Sequence, residues 1–286
     1  MAMSAPFVRK LSRFSLTTAD ADRLAAFYEN TFGCRRLSTE RLSGAGFETS
    51  MGVPGGALRM TLSLGEQIVE LLQFDQHGRP YPHGSLTSDL IFQHFAIVVS
   101  DMSEAYRQLS AIEGWTPISR GGPQLLPKTS GGVAAFKFRD PEGHPLELLA
   151  FPRNAMPRNW QTNAGAAVFQ GIDHSAISVS DTARSISFYE RLGFAVSARS
   201  SNRGQEQEAL DDVTNVLVEV TALAARQPDP HLELLCYSGA SADQDPAGSN
   251  ADIAATRSVL AVNGATASHE LVDPDGHRLL IEATAR

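Results

Sequence analysis

Three strand-like segments each open on a long polar side chain and run toward an aspartate: RFSLTTAD (13–20), HFAIVVSD (94–101) and HSAISVSD (174–181). Three others carry a single glutamate in an otherwise apolar run: VELLQF (69–74), LELLAF (146–151) and LELLCY (232–237). Imidazole and carboxylate together are the donor types of divalent-metal sites and of general acid–base catalysis. The Arg13 guanidinium stays charged and suits a carboxylate or phosphate instead. Side chains alternate across a strand, so Glu70 shares a face with Leu72 and Phe74, Glu147 with Leu149 and Phe151, and Glu233 with Leu235 and Tyr237. A carboxylate in a strand apolar on both faces is costly unless it is paired, protonated or metal-bound. A glutamate at an exposed strand end is the plain alternative.

The elements that must position these groups show in the same alternation. Beyond Arg13, His94 and His174, their faces carry Ser15 and Thr17, Ala96 and Val98, Ala176 and Ser178, mostly small residues that leave a hollow. The opposite faces carry Phe14 and Leu16, Phe95, Ile97 and Val99, Ile177 and Val179, and suit packing against helices. A helical pattern follows each opening: Leu24, Phe27, Tyr28 and Phe32 before Gly33, and Met102, Ala105, Tyr106, Leu109 and Ile112 before Gly114. Asp20 and Asp181 correspond, as do FYE at 27–29 and at 188–190, with one offset, 161. A weaker fourth helix is read over 252–264.

The segment ends recur as well. DPEGHPLELLAF (140–151) and DPDGHRLLIEAT (273–284) begin with turn chemistry and feed a last strand. Four βαβββ-like modules in an α+β fold follow, arranged as two half-open mixed β-barrel domains flanked by helices. Residues 1–152 hold modules one and two, 153–168 form an aperiodic linker, and 169–286 hold modules three and four, the fourth shortened. Modules are expected to pair with their sequence neighbours, one with two and three with four.

Composition narrows the partners. An apolar fraction of 42% and a charged fraction of 20% are those of a globular chain. A net charge of −8 argues against nucleic acid or an anionic membrane as partner. No apolar run is long enough to span a bilayer and no signal region opens the chain, so a cytoplasmic monomer or homodimer acting on a small molecule is expected. Cys34 and Cys236 read as free thiols, with Cys34 a packing residue at a helix end. His77 and His83 read as surface residues, and His144 and His277 as structural members of the turns.

Openings and endings together resemble the vicinal-oxygen-chelate superfamily of glyoxalases, bleomycin-resistance proteins and extradiol dioxygenases. The resemblance implies that two modules curl around one divalent metal, each first strand giving a His or Gln and each last strand a Glu. His94 and His174 lie seven residues before Asp101 and Asp181, but the same count from Asp20 reaches Arg13, and from Asp252 it reaches Asp245. Glu147 lies seven after Asp140, whereas that step from Asp273 reaches Leu280, with Glu282 two further along the same face.

Within the expected pairing, the resemblance implies a metal set of His94, Glu147 and Glu70 for Zn, Mn or Fe(II), or no metal at all. Glu70 and Glu147 are the candidate bases, and Arg13, Phe74 and Phe151 the candidate substrate contacts. Arg13 either clamps a substrate anion beside the metal or replaces the metal by pairing with Glu70 and Glu147. The expected C-terminal site of His174, Glu233 and Asp245 reads as decayed. A metal-dependent lyase or isomerase of the glyoxalase kind is the leading expectation. Extradiol dioxygenation fits less well, because neither expected domain supplies two histidines. A metal-free protein that sequesters a small molecule in an aromatic cleft is the alternative.

Overall fold

The computed structural model describes residues 7–161, 167–238, 248–265 and 268–283, so Asp245 lies outside the described residues. Module one is β1 (Phe7–Thr17), α1 (Ala21–Phe32), β2 (Arg35–Leu42), α2 (Ala45–Met51), β3 (Ala57–Leu64) and β4 (Gln67–Phe74). Module two is β5 (Gln93–Val99), α3 (Met102–Ser110), the short β6 (Thr116–Pro117) and β7 (Gln124–Leu125), β8 (Ala134–Arg139) and β9 (Pro145–Ala150). The one-turn α4 (Arg158–Gln161) follows. Module three is β10 (Phe169–Ser178), α5 (Thr182–Leu192), β11 (Ala195–Asn202), α6 (Gln205–Asp211), β12 (Leu217–Ala224) and β13 (His231–Ser238). Module four is β14 (Arg257–Asn263), β15 (His269–Val272) and β16 (Arg278–Ala283).

The repeated aspartates start the helices. Asp20, Asp101 and Asp181 accept from the backbone N–H of Arg23, Glu104 and Arg184, each at 3.0 Å, and so satisfy a donor the first turn leaves free. Gly33 (φ 71°) and Gly193 (φ 100°) end α1 and α5 in the left-handed region that glycine enters without strain.

The modules do not pair as sequence neighbours. One sheet runs β15-β16-β14-β1-β4-β3-β2 and joins module four to module one. The other runs β11-β12-β13-β10-β5-β9-β8-β6, with β7 also paired to β8 as its ninth strand, and joins module three to module two. Neither closes into a barrel, and each is mixed, because first strands pair antiparallel (β1 with β14, β10 with β5) while first and last strands of a module run parallel. Adjacency in sequence makes adjacency in space common but does not dictate it. Every residue of β5 and β10 is buried, so each needs a neighbour on both edges, and each supplies the other's.

Module four also corrects the helix read over 252–264. Arg257–Asn263 is a strand buried along all but its last residue, and residues 252–256 before it are turn and loop. A short apolar run of this kind has no periodicity that separates a buried strand from a buried helix.

The phase of the first strands is as the alternation implies. Phe14, Leu16, Phe95, Ile97, Val99, Ile177 and Val179 belong to the principal core with residues of α1, α3 and α5. Phe14 and Phe95 stack at 5.3 Å between centroids and join the two sheets through one core. The turn motifs add polar cross-links: Tyr28 donates to Asp140 Oδ2 at 3.2 Å and Tyr189 to Asp273 Oδ2 at 3.0 Å. His144 reaches the carbonyls of Thr17 and Ile253 at 3.0 and 3.1 Å, and His277 that of Ser178 at 2.8 Å. No helix among the described residues is long and apolar enough to cross a membrane.

Candidate functional site

Four neighbouring strands, in the order β13-β10-β5-β9, bring Glu233, His174, His94 and Glu147 together. The arrangement is a local two-fold. Ala96 pairs in register with Glu147 and with His174, while Ala176 pairs with Glu233 and with His94. Alanine at both central positions leaves space above the sheet, and the longer side chains converge over it.

His94 Nε2 lies 2.9 Å from Glu147 Oε2, and His174 Nε2 lies 3.7 Å from the same oxygen and 3.5 Å from Glu233 Oε2. His94, Glu147 and His174 are buried, and one ligand atom of each lies within 4.8 Å of the others. Glu233 is more open, its side chain 22% exposed. Behind this group His174 Nδ1 donates to Asp173 Oδ2 at 3.0 Å, and Trp160 Nε1 donates to Asp173 Oδ1 at 2.7 Å. His231 Nε2 stands 3.4 Å from Glu233 Oε1.

The charges are strongly coupled. Burial works to raise the Glu147 carboxyl, but hydrogen bonds from His174 and His94 outweigh it and hold the group well below the ordinary carboxylate range. Burial works against charge on His174, yet Glu233, Asp173 and Glu147 hold its imidazole protonated well above the usual histidine range. Burial pushes His94 down, only partly offset by Glu147. A divalent cation would meet the carboxylates in place of the His174 proton. Two imidazole nitrogens and carboxylate oxygens aimed at one point suit Zn, Mn or Fe(II), so the residues present fit a metal.

The group opens on a cavity of about 330 Å³, lined by Leu149, Phe151, Leu235, Tyr237 and Lys137 among others. Phe151 therefore faces the candidate site, as expected. Phe74 does not; it packs on Phe47 in the other half of the molecule, near the Arg257 guanidinium.

That other half holds the remaining sequence candidates. Arg13 Nε lies 2.5 Å from Glu70 Oε2, and the end of its guanidinium grips Glu282 through both oxygens. Arg59 Nη1 lies 3.1 Å from Glu70 Oε1. Register shows what has been exchanged: Arg13 stands where His174 does, Arg257 where His94 does, and Leu280 where Glu147 does. Arg257 is fully buried and donates to Asn250 Oδ1 and Thr17 Oγ1 at 2.9 and 2.7 Å. The set read as His94, Glu147 and Glu70 thus comes apart, with Glu70 in the other sheet, and Arg13 pairs with Glu282 rather than Glu147.

Sequence reasoning placed His174 and Glu233 in a separate, decayed site. A signal against that reading was present, since the departures from the family pattern, at Arg13, Asp245 and Leu280, all belong to modules one and four. Setting these modules together leaves His94, Glu147, His174 and Glu233 as one intact set. Asp173 and His231 were missed, although strand alternation puts His231 on the face of Glu233. His77 and His83 are exposed, and the Cys34 thiol is buried and pushed up to about 12 by burial and by Glu29, in keeping with packing.

Residues 10–148 and 171–281 match the family model described as the Glyoxalase/Bleomycin resistance protein/Dioxygenase superfamily. Among solved structures, glyoxalase I from Zea mays is similar with a TM-score of 0.59 and 17% identity, over 97% of this chain and 92% of that one. A putative dioxygenase from Bacillus subtilis is similar with a TM-score of 0.56 and 8% identity, over 99% of this chain and 87% of that one. At such identities the likeness is one of fold. No curated protein matches the chain.

Proposed function

The chain belongs to the glyoxalase, bleomycin resistance protein and dioxygenase superfamily, and from that premise we propose that its nine-stranded sheet carries a divalent-metal enzyme site for a small substrate with two adjacent oxygens. The observation that supports this most is the convergence of His94, Glu147, His174 and Glu233 from four neighbouring strands onto one cavity. His94, His174 and Glu147 would hold Zn, Mn or Fe(II), with Glu233 as the outer ligand. Bound there, the ion supplies Lewis-acid polarisation of the substrate oxygens.

The chain's own groups do the rest. Asp173 fixes the His174 ring so that Nε2 faces the site. Glu233, the most open of the four, can take a proton from a substrate carbon and return it to the neighbouring one, the chemistry of an isomerase or lyase. His231, beside Glu233 Oε1, stabilises that carboxylate between steps. Leu149, Phe151 and Leu235 keep water from the substrate's apolar body. This reading moves the base from Glu70 and Glu147 to Glu233.

A specific observation also favours a second reaction. His94, His174 and Glu147 form a two-histidine, one-carboxylate triangle, with Glu233 outside it. That is the donor set of non-haem Fe(II) oxygenases. Pairing modules two and three supplies the two histidines that neighbour pairing denied. Metal analysis of protein purified without chelators, followed by isomerase assays with Zn or Mn and oxygen-uptake assays with Fe(II) and 1,2-diols, separates the reactions. A chain that stays metal-free at micromolar metal, yet binds small aromatic molecules, would instead be the sequestering protein.

A further inference from the structure

The wall of the cavity is notably short of free positive charge. Lys137 is the one lysine that lines it and no arginine does among the described residues. Outside them the sequence holds a single basic residue, Arg286. Lys137 is itself occupied: its Nζ donates to Asp211 Oδ1 at 2.6 Å, with both side chains buried. Asp211 Oδ2 accepts from Gln207 Nε2 at 2.6 Å and from the Tyr237 hydroxyl at 3.1 Å, which fixes the carboxylate at the end of α6. Glu147, Glu233, Asp173 and Asp229 line the same cavity, and their negative charges exceed what one divalent ion brings. Leu126, Leu149, Leu210, Val218 and Leu235 supply apolar wall.

We propose that this cavity selects an uncharged ligand with an apolar body, and that Asp211 enforces the choice by neutralising Lys137. The inference rests on the metal-site reading for where the ligand's paired oxygens go. A carboxylate or phosphate on the ligand's body would leave water, meet no free donor cation and face four carboxylates, and such a group buried without a partner is costly. Discrimination therefore comes from what the wall withholds.

The test uses the full chain loaded with zinc, which supports no oxygen chemistry, and calorimetric titration with 4-methylcatechol and 3,4-dihydroxybenzoate. These share the diol and differ in a methyl against a carboxylate. The neutral diol should bind tighter by about tenfold or more, a factor worth about 1.4 kcal/mol. Asp211→Asn should release Lys137 and shrink or reverse the preference. If that variant does not fold, Val220→Arg, which places a cation on the wall, should reverse it. Equal or tighter binding of the carboxylate by the wild-type chain overturns the proposal. A preference unmoved in a folded Asp211→Asn overturns the role of Asp211. Zinc content is measured in the same samples. One zinc per chain with neither diol bound overturns the ligand class and spares the metal reading. Failure to take up zinc sinks the metal reading, and titration of the metal-free chain then decides the preference by the same criteria.

Discussion

Arg13 and His174 occupy the same position in the two halves of the molecule. Each lies two residues before the first-strand residue that pairs in register with its module's glutamate, Ser15 with Glu70 and Ala176 with Glu233. One position holds a neutralisable imidazole over a cavity, the other a fixed cation that fills its own site. Metal should therefore bind at one ion per chain, in the half built from modules two and three. His94→Ala and His174→Ala should each lower affinity by more than about 100-fold, beyond the range typical of groups behind the ligands, while Glu70→Gln leaves stoichiometry and affinity unchanged. Elemental analysis and metal titration of the three variants check this. Metal retained by His174→Ala and lost from Glu70→Gln would return the site to the first sheet.

Arg13 makes a different prediction about stability. Its guanidinium holds Glu70, which is buried, and Glu282. Burial works against its charge, yet Glu282 and Glu70 more than restore it. Removing Arg13 leaves the buried Glu70 with Arg59 as its remaining cation, so Arg13→Met should cost up to about 3 kcal/mol. Arg13→Met combined with Glu70→Leu should recover much of that loss, because no unpaired buried charge remains. Arg13→His should gain no metal site, since Arg257 and Leu280 still stand at the facing positions. Urea denaturation of the single and double variants, with metal titration of Arg13→His, measures both effects.

What could be read from residues alone divides along a physical line. Strand phase was legible because large apolar side chains on one face alternate with small or polar ones on the other: Phe14, Phe95 and Ile177 do face the helices, and His94, His174, Glu147 and Glu233 do face inward. Helix starts were legible because Asp20, Asp101 and Asp181 cap by side-chain chemistry. Partner choice was not, because the backbone groups along the edges of β5 and β10 are the same whichever strand they meet. Arg257 was hidden inside a segment read as helix, which concealed that a second arginine stands opposite Arg13. Once the partner modules were exchanged, residues already known to be ligand types regrouped into one site.

The turn histidine His144 ties module two to modules one and four, and its protonation should be visible in stability. Nδ1 faces Asp140 Oδ2 at 2.8 Å, and Nε2 faces the carbonyls of Thr17 and Ile253. All these partners are acceptors, so the ring fits best with a proton on both nitrogens. Burial opposes the charge, but Asp140 outweighs it and the folded pKa is raised. Stability from this group is therefore full below the unfolded value near 6.5 and is lost as pH rises through the raised folded value. Wild type should exceed His144→Asn by the widest margin near pH 6, and the gap should narrow into the alkaline range. Denaturation midpoints of both proteins across that range would show it. A constant gap would mean that the ring is neutral throughout.

Trp160 and Asp173 carry the last prediction, because they couple the segment between modules two and three to the candidate metal site. Trp160 lies in α4, is buried, and donates its indole N–H to Asp173 Oδ1 at 2.7 Å. Asp173 in turn accepts from His174 Nδ1, which leaves Nε2 facing Glu147 and Glu233. A carboxylate behind a ligating imidazole sets the ring's tautomer and raises its basicity, and its loss typically lowers metal affinity by about 10–100-fold. Asp173→Asn should fall in that range, since the amide can still meet the ring but without the charge. Trp160→Phe removes one donor to Asp173 and keeps most of the packing, so it should weaken metal binding less than Asp173→Asn does. Metal titration at fixed pH, with unfolding midpoints of the metal-free proteins as the control for packing, ranks the two. Full affinity in a folded Asp173→Asn would show that His174 is held by its neighbours in the sheet and not by this chain of hydrogen bonds.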